Sequence, residues 1–171
     1  MGTKALLIFA LMWSKEKEKF LKIAEEKIQK DFGEIINQTE EYTTTYSKYY
    51  EKEMGENLVK KFVVIDKIIK KDELIRLKKY SQMLEKELSI ADNRNINIDP
   101  LYLDLDQVVV ATSKWRGNRI YIGENVFAEL ELWYHHKSFQ PFLWTYLDYK
   151  EKIDFFNQTR QIFKKKMKNK S

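Results

Sequence analysis

Eight side chains carry the chemistry this sequence offers: the cations Arg94, Lys114 and Arg119, the acids Glu53, Asp99, Glu129 and Asp148, and the phenol of Tyr50. An arginine grips phosphate or carboxylate bidentately and a lysine attracts it as a point charge. Acids beside them offer the oxygen ligands Mg²⁺ takes, so Mg²⁺ is the cofactor expected if the anion is a nucleotide. Glu51 and Glu53 lie in a Tyr-rich stretch, Arg94 and Asp99 flank a short predicted strand, and Lys114 and Arg119 flank the next turn. A rigid sheet presents side chains from such strand ends and loops. The same residue types also build buried ion-pair networks, and at the level of sequence the two readings weigh about evenly.

Several other chemistries are excluded or disfavoured by spacing. The five glycines, at 2, 33, 55, 117 and 123, form neither the phosphate-cradling G-x-x-x-x-G-K-[ST] nor the dinucleotide-binding G-x-G-x-x-G. The chain has no cysteine, which removes disulfides, thiolate metal sites and cysteine nucleophiles. His135 and His136 are adjacent, so on a strand they face opposite sides and cannot share a metal. Ser113 beside Lys114 reads as a helix-end serine rather than an activated nucleophile. The carboxylate pairs Asp104 and Asp106, and Glu129 and Glu131, would serve acid and base roles if buried, but their spacing alone reads as solvated faces. No catalytic residue and no metal ligand set is assigned, and whether the chain is an enzyme stays open.

The residues that must position these groups are those of one globular domain. At 171 residues, with 43% hydrophobic and 33% charged residues, the chain suits a single core over 1–171. The net charge of +5 comes from the tail: Lys164, Lys165, Lys166, Lys168 and Lys170 account for five of the 31 basic residues, and the remaining 26 equal the 26 acidic ones. Residues 164–171 read as a frayed, solvated basic end on a helix. The apolar run at the start, MGTKALLIFALMW, has no small-residue cleavage site before SKEKEKF and is too short to span a bilayer. It reads as a buried strand, and a cytoplasmic protein without membrane contact is expected.

Hydrophobic periodicity orders the elements. Lys4 to Trp13 predicts a central strand buried on both faces. Ser14 then caps a helix whose stripe is Phe20, Ala24, Ile28 and Phe32, ended by Gly33. The segment from Ile35 to Thr45 predicts an edge strand, YSKYYEKEMGEN a loop, and Val59 to Ile69 another strand. Asp72 caps a second helix with Leu74, Leu77, Leu84 and Leu88 along one stripe, and Ile96 to Ile98 is a short strand. This order, β-α-β-β-α-β, predicts a ferredoxin-like half with both helices on one face of an antiparallel sheet. Beyond Pro100, Leu105 to Thr112 fits a helix capped by Asp104, against three consecutive valines that favour a strand. Arg119 to Ile122 and Val126 to Tyr134 form a hairpin. In its second strand Val126, Ala128, Leu130, Leu132 and Tyr134 point one way, opposite Phe127, Glu129, Glu131 and Trp133. A final helix from Lys150 buries Ile153, Phe156, Phe163 and Met167. The fold class is α+β, with the hairpin and helix as a C-terminal elaboration.

Six stretches in order, YYEKEMG, NIDP, ATSK, RIYIG, AELEL and WTYLDY, resemble an uncharacterised bacterial family known as domain of unknown function 4416. The similarity runs nearly end to end. It departs at Leu101 and Leu147, where the family more often has glycine and proline. Some members of that family are labelled GTP-binding proteins, so the resemblance implies possible nucleotide binding without an established activity.

Three functions are therefore expected in turn. The first is binding of a small anionic molecule or nucleotide in a cleft of the eight residues. The second is a non-enzymatic RNA- or protein-binding module that uses the lysine tail and Tyr46, Tyr49 and Tyr50. RNA is the secondary partner, because the third strand reads VKKFVVIDK and lacks the aromatic motif of base-stacking sheets. The third is a metal-dependent enzyme acting on a phosphorylated substrate. The oligomeric state is not legible from these residues.

Overall fold

The computed structural model describes residues 2–169. Its first strand, β1 (Lys4–Ser14), is apolar at nearly every position, and all but Lys4 is buried. Alternate side chains enter two separate cores. Ala5, Leu7, Phe9, Leu11 and Trp13 face one, and Leu6, Ile8 and Ala10 the other. A strand with no polar face must lie in the middle of a sheet covered on both sides. Here β1 pairs antiparallel with β3 (Leu58–Lys70) on one edge and β4 (Ile96–Leu103) on the other.

The sheet has eight strands, and every pairing is antiparallel. The order runs β2 (Ile35–Gln38), β3, β1, β4, β5 (Gln107–Thr112), β7 (Val126–His135) and β6 (Arg119–Gly123). The short β8 (Ser138–Pro141) shares an edge of β7 with β6: β6 lies along the first half of β7 and β8 along the second. Both hairpin turns use two residues at positive φ, Glu124 and Asn125, then His136 and Lys137. That conformation matches the right-handed twist of the flanking strands.

Helices α1 (Glu18–Phe32) and α3 (Leu74–Glu87) cover the first face through Leu21, Ala24, Ile28, Leu74, Leu77 and Leu84. Helix α5 (Ile153–Lys168) and the short α4 (Leu147–Glu151) cover the second through Tyr149, Phe155, Phe156, Phe163 and Met167. Phe62 of β3 meets Tyr149, Phe155 and Phe156 at ring separations of 4.9, 6.0 and 5.1 Å. Each such ring contributes about 1.5–3 kcal/mol by leaving water. Gly33 ends α1 at φ +136, where an added Cβ would stand 3.1 Å from the Asp66 carbonyl oxygen.

Four local expectations are corrected. YSKYYEKEMGEN is not a loop: Ser47–Met54 is a helix, α2, closed by Gly55 at φ +98, with Met54 buried against Met12 and Leu58. The edge strand at Ile35 is only four residues long, and Tyr42 adds a single bridge to Lys60. Leu105 to Thr112 is not a helix. The three valines form β5, while Asp104 Oδ1 accepts the amides of Asp106 and Gln107 in the β4–β5 turn. β-Branched side chains stiff at χ1 pack better on a pleated sheet than on a helix, and an aspartate that caps a helix caps a turn equally well. Finally, the alternation along β7 breaks at a bulge: Val108 pairs with Leu132 but Val109 with Leu130, so Glu131 is an extra residue. Val126, Ala128 and Leu130 therefore serve the first core, and Leu132 and Tyr134 the second.

Candidate functional site

The cleft lies on the second face of the sheet beside α4, walled by α2, and its cavity volume is about 530 Å³. Two departures from regular sheet geometry open it. β4 pairs with β5 only over Leu101 to Leu103, so Ile96 to Pro100 have no strand on that side. Pro100, which has no N–H to give, sits in this opening. The amide of Ile98 instead donates to Glu85 Oε2 on α3, at 2.8 Å, and Lys78 of the same helix reaches Asp99 at 3.2 Å. Glu129 and Glu131 share the second face by regular alternation, and the bulge at Glu131 brings Leu132 onto that face beside them.

Around the cleft, four cations each meet an acid. Buried Lys60 of β3 lies 2.7 Å from Asp148 of α4 and donates to the Tyr46 hydroxyl at 2.8 Å. Asp148 Oδ2 also accepts Tyr42 and Tyr46 hydroxyls at 2.9 and 3.1 Å. Lys78 pairs with Asp99, whose other oxygen accepts Asn97 Nδ2 at 2.9 Å. Arg94 clasps Glu53 through Nε and Nη2, both at 2.9 Å, and gives Nη1 to Asn97 Oδ1 at 2.8 Å. Arg119 donates to Glu129 and to the Tyr146 hydroxyl, both at 3.1 Å.

Lys114 is different. It stands in the β5–β6 loop with Nζ 3.3 Å from the Tyr50 hydroxyl and 5.9 Å from that ring's centre. Among the described residues no carboxylate lies within ion-pair distance of it, so its charge is the one the cleft leaves unneutralised.

The electrostatics follow from this arrangement. Burial works against the charge on Lys60, but Asp148 and Tyr46 raise its pKa above that of an ordinary lysine. Burial also opposes ionisation of Asp99, yet Lys78 and Lys60 hold its carboxyl below the usual range. The hydrogen bonds from Arg94 hold Glu53 low. Burial works against the charge on Lys114, and the Tyr50 oxygen more than offsets it, so its pKa is raised. Two acids move the other way: burial pushes Glu85 up to about 7, and burial with neighbouring Glu129 pushes Glu131 up to about 9.

All eight residues singled out from the sequence belong to this one network. Lys114, Arg94, Asp99, Glu129 and Tyr50 line the cleft itself. Glu53, Arg119 and Asp148 stand behind the lining and hold Arg94, Glu129 and Lys60 in place. Sequence reasoning missed Lys60, Lys78, Asn97, Tyr146 and Tyr149, gave Tyr46 to the binding-module alternative and read Glu131 as part of a solvated face. Lys60 sits at an inward position of β3 with Leu58, Phe62 and Val64, and Lys78 falls on the buried side of α3 with Leu74 and Leu77. A cation at a core position was the available signal. Glu129 and Glu131 do not form a solvated face, being 2% and 0% exposed. Among the described residues no group of three or more His, Asp and Glu side chains is arranged to hold a metal ion. No helix among them is long and apolar enough to cross a membrane.

Fold and site together define an α+β protein with one antiparallel sheet, helices on both faces, and a tyrosine-walled cleft of paired charges. The chain belongs to the family described as Domain of unknown function (DUF4416), whose model matches residues 3–163. No curated protein and no solved structure matches it.

Proposed function

We propose that the cleft binds a small anionic molecule carrying a flat ring, a nucleotide being the leading class, on a ferredoxin-like half elaborated by the C-terminal hairpin and helices. The observation that supports this most is Lys114: an exposed ammonium without an acid partner, in a cleft whose other cations each have at least one. An incoming phosphate or carboxylate would supply the missing charge. Tyr46, Tyr49, Tyr50 and Tyr146 offer ring faces on the same walls, and the volume suits a molecule of nucleotide size. The GTP-binding label carried by some members of the family agrees with this class. Because no glycine-rich phosphate loop is present, recognition rests on side chains and on any Mg²⁺ the ligand brings.

The test is thermal unfolding of the wild type and Lys114→Ala with GTP, ATP, inorganic phosphate or no ligand, each with and without Mg²⁺. A ligand at a hundredfold excess over its Kd stabilises by about 2.7 kcal/mol, a shift of several degrees for a domain of this size. The expected result is a shift with at least one nucleotide that Lys114→Ala abolishes. No shift with any of them, or an equal shift in the variant, would refute the reading.

A further inference from the structure

Glu131 is fully buried, and only one of its two oxygens has a hydrogen-bond donor: Oε2 accepts the amide of Tyr146 at 3.2 Å, while Oε1 has none. Glu129, two residues before it on the same face of β7 and likewise buried, is the nearby acid that raises it most. Glu129 already accepts Asn118 Nδ2 at 2.8 Å and Arg119 Nε at 3.1 Å. Two carboxylates meeting in a dry site, one of them with a bare oxygen, cost several kcal/mol if both are charged. A single proton between them removes the repulsion and gives the bare oxygen a partner. The bulge at Glu131, where an extra residue of β7 stands against β5, is a feature of the kind found beside functional sites.

We propose that Glu129 and Glu131 share one proton beneath the cleft and that this proton sets whether the cleft accepts an anion. The proposal rests on the anion-binding reading above. With the proton in place, the pair carries a single negative charge, which Arg119 meets. When it leaves, a second negative charge appears under the site and opposes an incoming anion. The groups facing the pair are Arg119 on β6, Asp148 and Tyr149 on α4, and Tyr146 before it. Of these only Arg119 is a cation, and it is already engaged by Glu129 and Tyr146. Glu131 gives up its proton only near pH 9, while Lys114 is raised above an ordinary lysine and Tyr146 and Tyr149 above an ordinary tyrosine.

Two measurements test this. In ligand-free protein, carbon-13 NMR of the glutamate carboxyls from pH 5 to 10 is expected to show, above Glu85 at about 7, a further carboxyl titrating near 9, a signal lost in Glu131→Gln. Calorimetric titration with ATP, whose terminal phosphate loses its last proton at about pH 6 as a phosphate ester does, and with inorganic phosphate, which stays a dianion through this range, is expected to show affinity falling on the order of tenfold from pH 8 to 10. In Glu131→Gln, which keeps the shape and cannot ionise, affinity stays level. If every glutamate carboxyl other than Glu85 is ionised by pH 7, the shared proton is overturned whether or not anything binds. If the proton is present but wild type and Glu131→Gln lose affinity in parallel, the control of binding is overturned. Failure of both probes to bind at pH 7.5 overturns the anion-binding reading and the control with it, leaving the NMR result to decide the shared proton alone.

Discussion

At the scale of single residues, the cleft combines buried charges that stabilise one another with one charge that has no acid. Lys60 and Asp148 are 8% and 3% exposed at the side chain, so removing either leaves the other stranded in low dielectric. Asp148→Ala is expected to cost about 3–5 kcal/mol in urea unfolding. The double variant Lys60→Met with Asp148→Leu should recover most of that, because an apolar pair removes both desolvation penalties. Glu131 gives a second prediction. Its carboxyl is pushed up to about 9 in the folded protein, above its ordinary value, so the folded state holds a proton that the unfolded chain has lost. Stability should then fall as pH rises between about 4.5 and 9. Glu131→Gln removes that slope and is expected to be more stable than wild type at pH 8.5, on the order of 1–3 kcal/mol. Parallel pH profiles would show that the carboxyl is not held protonated. Asp99 and Glu53 act oppositely: both are held low, so their contributions persist at neutral pH and are lost below the ordinary carboxylate range.

At the scale of elements, the cleft depends on α2, which carries Tyr49, Tyr50 and Glu53 to its wall. Gly55 closes that helix at φ +98, beside the Lys17 ammonium that donates to the Met54 carbonyl and to Asn95. Gly55→Ala is expected to cost about 1 kcal/mol or more through backbone strain and to weaken ligand binding by shifting the wall. Unchanged thermal unfolding would contradict this. The element scale is also where sequence was most and least informative. β1, β3, α1, α3, α5 and the β6–β7 hairpin were legible because their apolar spacing is regular over ten or so residues or bounded by strong turn signals. α2 was not, because SKYYEKEM presents an exposed Tyr49 and a half-buried Tyr50 on a cleft wall rather than an apolar stripe. β5 was misjudged because Asp104 signals a cap without saying of what. The bulge at Glu131 leaves no mark in the local sequence, since it is set by how β5 and β7 register against one another.

At the scale of the whole molecule, the two faces of one sheet have different tasks. α1 and α3 seal the first, while α4 and α5 cover only part of the second and leave the cleft. The eight polar residues could be named from sequence because they fall at strand ends and loops, but their convergence required long-range pairing: Tyr42 meets Asp148 across 106 positions. The lysine tail is part of this architecture. α5 runs through Lys168 and buries Met167, and Lys166 pairs with Asp66. Ending the chain before Lys164 is expected to cost about 2 kcal/mol or more by removing Met167 from the second core. If instead the truncated protein kept its full stability but lost salt-sensitive binding to an RNA pool, the binding-module alternative would gain the tail. The most direct measurement is calorimetric titration of GTP and ATP into wild type, Lys114→Ala and, as a surface control, Arg76→Ala. Saturable binding to wild type and control that falls tenfold or more in Lys114→Ala is the result this account predicts. Equal affinity in all three proteins, or none in any, would contradict it.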